Sequence, residues 1–185
     1  MATPARPEAW RGLAVVLLAL ACALGAGLWA GRGEFASHRA HLFGGAQARI
    51  ALDYATLSAG LDEAALQQRL AGAPLRCTNT AEARICEADL ARADGLPAAR
   101  LRATLQGGRL QQTEVFLPWW RHHQAARTLA ATLGAPSAYD TDAPAPGIAP
   151  GIVWAFEQGA LRIARDPGWN PWRWSVLRWT ATARP

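Results

Sequence analysis

The chain has 185 residues, 51% of them hydrophobic and 18% charged, with a formal charge of +5. That leaves room for one domain or two very small ones, and the composition is too apolar for a disordered chain. All 19 basic residues are arginines, scattered rather than gathered into a stripe, which argues against nucleic acid as a partner.

From Leu13 to Ala30 the sequence LAVVLLALACALGAGLWA carries no charge over 18 positions. As a helix it would be about 27 Å long, close to the thickness of a bilayer core. Trp10 and Trp29 stand at its ends, where amphipathic rings favour the interface, and Arg11 and Arg32 flank it. A cleaved signal peptide would carry a shorter apolar run. A lipoprotein signal would use Cys22, yet ALAC is a poor lipobox and eight more apolar or small residues follow it. The run therefore predicts an uncleaved transmembrane anchor over 12–31, after a cytoplasmic segment 1–11 and before a linker 32–56, whose stretch up to residue 50 reads either as connection or as a continuation of the anchor helix.

Cys77 and Cys86, with eight residues between them, are the cysteines outside that run. A leftover pair in a small exported domain reads as a disulfide, and no second pair accompanies it to suggest zinc. Closing so short a loop adds on the order of 2–3 kcal/mol. The expected setting is a bacterial inner-membrane protein, single-pass, with its C-terminal domain in the periplasm.

The first folded unit is expected over 57–118. A helix follows Ser58 or Asp62 as N-cap, with Leu61, Ala65, Leu66 and Leu70 on one stripe, and Gly72 and Pro74 end it. Two short strands carry Cys77 and Cys86. A hairpin then turns at Gly107-Gly108, with Leu105 opposite Leu110. Unbroken alternation from that turn puts Leu101, Ala103, Leu105, Leu110 and Phe116 on one face and Arg102, Thr104, Gln111 and Thr113 on the other.

The second unit, 119–185, repeats the order. His122, Ala126, Leu129, Ala130 and Leu133 fall on one helical face before Gly134 and Pro136. A proline-rich loop leads to a hairpin around Gln158-Gly159, whose Ile152, Trp154, Phe156, Leu161 and Ile163 share a face. A last strand runs from Trp172 to Ala181. One unit of this size has little core of its own, so two would fuse their apolar sides. The predicted fold class is α+β: an N-terminal transmembrane helix, then two helix-plus-antiparallel-strand units packed as one domain.

Leu133, Gly134, Pro136, Trp154, Phe156, Gly159, Leu161 and Ile163, echoed by Leu70, Gly72, Pro74, Leu105, Gly108 and Leu110, give a pattern that resembles the tandem β-lactamase-inhibitor-protein-like (BLIP-like) family. It is also similar to the small lipoprotein of the outer-membrane β-barrel assembly machinery. The resemblance covers about 57–181 and speaks to fold. It implies a non-enzymatic binder of envelope proteins or an assembly subunit.

Chemistry-bearing residues point the same way. His122 and His123 are adjacent and diverge on a helix, so they cannot chelate one metal. Asp140 and Asp142 flank a loop threonine and read as a solvated turn. Ser58, Ser137 and Ser175 lack a nucleophile-elbow context. No catalytic residue, metal site or cofactor site is expected. Nine tryptophans are far more than usual, and a strand with Trp172 and Trp174 on one side and Trp179 on the other cannot hide both unless both sides are covered. The candidate partner contact is therefore Trp119, Trp120, Trp169, Trp172, Arg173, Trp174, Arg178 and Trp179. The expected function is an inner-membrane-anchored periplasmic protein-binding or assembly subunit without catalytic activity. Its partners would be another cell-envelope protein and, through the anchor, the membrane. A tryptophan-rich module binding cell-wall glycan is the alternative.

Overall fold

A two-residue glycine turn sets the local geometry of the first hairpin. Gly107 and Gly108 both have φ in the left-handed region (55° and 75°), which glycine alone adopts without strain. They join two strands, Arg100–Gln106 and Arg109–Leu117. A computed structural model of the chain describes residues 7–30, 32–45, 48–140, 151–164 and 172–182. In chain order its elements are α1 (Pro7–Ala30), α2 (Arg32–Phe43), β1 (Arg49–Ile50), α3 (Glu63–Arg69), β2 (Arg76–Asn79) and β3 (Arg84–Asp89). Then come β4 (Arg92–Ala93), β5 (Leu96–Pro97), β6 (Arg100–Gln106), β7 (Arg109–Leu117) and α4 (His122–Leu133). The last four are β8 (Ala138–Asp140), β9 (Gly151–Phe156), β10 (Gly159–Ala164) and β11 (Ser175–Ala181).

One antiparallel sheet of eight strands dominates, in the order β2-β3-β6-β7-β11-β10-β9-β8. Chain order rises to the centre and falls away from it, so the last strands of the two halves, β7 and β11, are neighbours. A small sheet, β1-β4-β5, adjoins it. The expectation of an α+β domain behind a transmembrane helix is thus corrected: the protein is mostly sheet, with few helices.

The anchor is corrected too. Among the described residues no helix is long and apolar enough to cross a membrane. The assignments as a single-pass inner-membrane protein with a periplasmic domain fall with that span.

The segment expected to be a linker is structured in two places. α2 occupies much of it, and Ile50, Leu52 and Tyr54 are buried with Leu57 in the core. Leu52 is held by its backbone: its N–H donates to Asp94 Oδ1 at 2.8 Å, and its carbonyl accepts from Arg69 Nε at 3.0 Å. Asp62, one of the two candidate caps, accepts from the Ala65 N–H at 2.9 Å and starts α3.

The core lies between the short helices and one face of the large sheet. Leu66 and Leu70 from the first half and Ala125 and Leu129 of α4 join a single cluster with Leu101, Leu110, Val115, Leu161, Leu177 and Trp179. Cys77 and Cys86 are register partners on β2 and β3 and form a disulfide, with Cα atoms 4.0 Å apart. Ile152, Trp154, Phe156, Leu161 and Ile163 share the core face across β9 and β10, but the turn is at Glu157-Gln158, one residue before the expected Gln158-Gly159, and Gly159 pairs with Phe156 as the first residue of β10.

The first hairpin departs from simple alternation. Leu105 pairs with Leu110, but Thr104 pairs with Gln112, so Gln111 is an extra residue and the register shifts. Beyond that bulge every side chain of β7 changes sides. Thr113, Val115 and Leu117 face the core, whereas Phe116, expected inside, lies on the opposite face and Thr113, expected outside, is fully buried.

Trp179 fills the middle of the core and needs a gap opposite it. A Cβ on Gly159 would lie 2.7 Å from the Trp179 indole. Gly159→Ala is expected to lower stability by about 1–3 kcal/mol through overpacking, read by urea unfolding. Cys77→Ala or Cys86→Ala is expected to lower the melting temperature only under oxidising conditions. Identical melting of the wild-type protein with and without reductant would contradict this.

Candidate functional site

The tryptophans expected at a contact surface divide by depth. Trp174 and Trp179 are buried, at 6% and 0% exposure. Trp119 and Trp172 are half-buried, Trp120 is 43% exposed and Arg173 is exposed. Arg178 is half-buried on the face of the sheet away from the helices. Trp169 lies outside the described residues.

At the end of the sheet where β7 finishes and β11 begins, the aromatic residues form one assembly with α2. The His38 ring stacks on Trp174 with centroids 3.8 Å apart and tilts against Trp120 at 5.4 Å. Trp119 meets Trp120 and Trp172 edge-on, at 5.6 and 6.4 Å. His38 is buried and its Nε2 lies 2.6 Å from the Trp172 carbonyl, which can only accept, so Nε2 carries the proton. Four of the eight expected residues, Trp119, Trp120, Trp172 and Trp174, therefore form the assembly that seats α2. Offset aromatic contacts of this kind contribute about 0.5–1.5 kcal/mol each beyond area burial.

His41, one helical turn on, meets Trp174 edge-on at 6.1 Å. Burial holds its imidazole below the ordinary histidine range, and the neighbouring His38 adds to this. Neither histidine stood out in the sequence. The signal was their spacing of three on a helix, in a segment whose mixed composition reads as a connection.

The other prominent arrangement is electrostatic. On the face with no described helix, register aligns Arg76, Glu87, Arg102, Glu114, Arg178 and Arg162 across six strands. Arg102 Nε donates to Glu87 Oε1 at 2.8 Å, and Arg178 donates to Glu114 Oε1 through Nε and a terminal nitrogen at 3.0 and 2.7 Å. Arg102 also reaches to 4.0 Å from Glu114. In the adjacent row Arg100 lies over the Phe116 ring, 4.3 Å from its centre. Most of these side chains are half-exposed, and Glu114 is buried beneath its arginines.

Two arrangements among the described residues bear on nucleophile and metal chemistry. His122 Nδ1 and Ser175 Oγ are 3.0 Å apart, but Ser175 is fully buried, so the pair ties α4 to β11 without presenting its hydroxyl to solvent. Among the described residues one group of three potential metal ligands comes together: Glu63, Cys77 and Cys86. Both sulfurs are committed to the disulfide, which removes the thiolates a metal would need.

The chain matches no protein-family model, no curated protein and no solved structure.

The histidine seat makes α2 acid-sensitive. An imidazole freed from the cluster takes up a proton near pH 6.5, whereas the docked His41 resists it. Docking is therefore fully favoured above that range and weakens as pH falls below about 6.5. An acid titration followed by tryptophan fluorescence is expected to show a transition in that window, diminished in His41→Gln. An unchanged transition in the variant would assign it to other groups.

Proposed function

We propose that this chain is a non-catalytic binding module that recognises another protein through the face of its eight-stranded sheet that no described helix covers. The observation that carries this reading is the row of cross-strand ion pairs on that face. Long arginine side chains normally lose much conformational freedom when a partner binds. Here Arg102 and Arg178 are already held by Glu87 and Glu114, so the surface is organised before binding. Arginine and aromatic side chains on one broad face are the residue types that dominate protein contacts.

The glycan alternative has less support. Sugar rings stack on flat, exposed aromatic faces, yet Trp174 and Trp179 are buried and Trp174 is covered by His38. Of the described candidate tryptophans, Trp120 alone is classed as exposed. The expected partner is one met in oxidising surroundings, where a disulfide such as Cys77–Cys86 persists.

The test is site-specific photo-crosslinking in native cells. A photoreactive residue at Gln112 or Thr180 sits on the open face, and one at Thr128 sits on the outer side of α4. A discrete protein adduct is expected from the first two positions and none from the third. Equal adducts from all three, or none from the sheet positions, would remove this reading.

A further inference from the structure

Among the described residues of the open face, Arg100 has no carboxylate within ion-pair distance. Asp89 stands opposite Arg100 in the register, but its carboxylate is engaged by Arg76 at 2.8 Å. Glu87 is engaged by Arg102 at 2.8 Å and Glu114 by Arg178 at 2.7 Å. Among the described residues Arg100 makes no ion pair. Its guanidinium rests over Phe116 at 4.3 Å, and that of Arg102 lies 5.7 Å from the same ring. Phe116 is on this face because of the bulge at Gln111. Among the described residues of β2, β3, β6, β7 and β11 on this face, Arg76, Arg100, Arg102 and Arg178 stand against Glu87, Asp89 and Glu114, four positive charges to three negative, and the odd one is Arg100.

We infer that Arg100 and Phe116 form the point at which this face receives a carboxylate of its protein partner, so that the partner presents an acidic segment there. The inference rests on the reading of the open face as the binding surface. Stacking on a ring fixes the guanidinium plane while leaving its donors free, and a fixed arginine fork matches a carboxylate in two parallel hydrogen bonds. Phe116 supplies apolar area beside the charge, so the carboxylate meets its arginine where water is partly displaced. The positive charge that Arg100 adds to an otherwise paired row is complementary to an acidic surface at the site.

The experiment uses the full chain with the photoreactive residue at Thr180, in wild-type form and with Arg100→Glu. The wild-type adduct is isolated and the crosslinked partner peptide sequenced. That peptide is expected to carry aspartate or glutamate, and Arg100→Glu is expected to lower adduct yield by roughly tenfold. Reversing the partner's carboxylate to lysine is expected to restore the adduct with Arg100→Glu. Arg100→Gln gives the same comparison with a neutral side chain should the charge reversal disturb folding. Wild-type yield from Arg100→Glu, a partner peptide without acidic residues, or a loss that charge reversal does not rescue would each overturn the acidic-partner inference while leaving the open-face reading standing. Absence of any adduct from Thr180 in the wild-type protein would remove both.

Discussion

The pairing of β7 with β11 holds the rest of the molecule together, because the two halves of the chain share their sheet along this line. Thr113, Val115 and Leu117 meet Trp179, Leu177 and Ser175 on the core side, and Glu114 meets Arg178 on the other. One side of the seam is sealed by buried apolar area and the other by a largely buried carboxylate gripped by an arginine. Burial stabilises the join without fixing its register; the charge pair penalises a slip, since a shifted Glu114 would be left desolvated and unpaired. The polar group on the seam thus supplies specificity more than strength.

The bulge at Gln111 couples this seam to the proposed surface. Without the extra residue, β7 would present Glu114 and Phe116 to the core and Thr113 and Val115 to solvent. With it, Val115 and Leu117 complete the interior, Glu114 joins the ladder of arginines, and Phe116 becomes a platform for Arg100. A single residue of register therefore decides both the content of the core and the chemistry of the open face.

At the end of the sheet the same economy of aromatic surface applies. Trp174, just before β11 and outside the main core cluster, is covered by His38 of α2. The half-exposed Trp119 and Trp172 form the walls of that seat. Trp120, Trp172 and Trp174 thus hold the one side chain described as buried on α2, His38.

The sequence alone determined what depends on near neighbours. A glycine pair marked the hairpin at Gly107-Gly108, alternation marked the one in 151–164, Asp62 was one of two named caps, and the leftover pair Cys77 and Cys86 indicated the bond the structure contains. Tertiary structure decided the rest. The side taken by Phe116 depends on a bulge, which no local pattern in LQGGRLQQTEVF announces. The burial of Leu52, Tyr54 and Leu57 and the docking of His38 depend on residues forty or more positions away, such as Asp94 and Trp172. Whether a tryptophan is core or contact depends on what covers it, and the covering element was one that composition alone marked as a connection. Periodicity reports which residues share a side; only the assembled chain settles which side is closed.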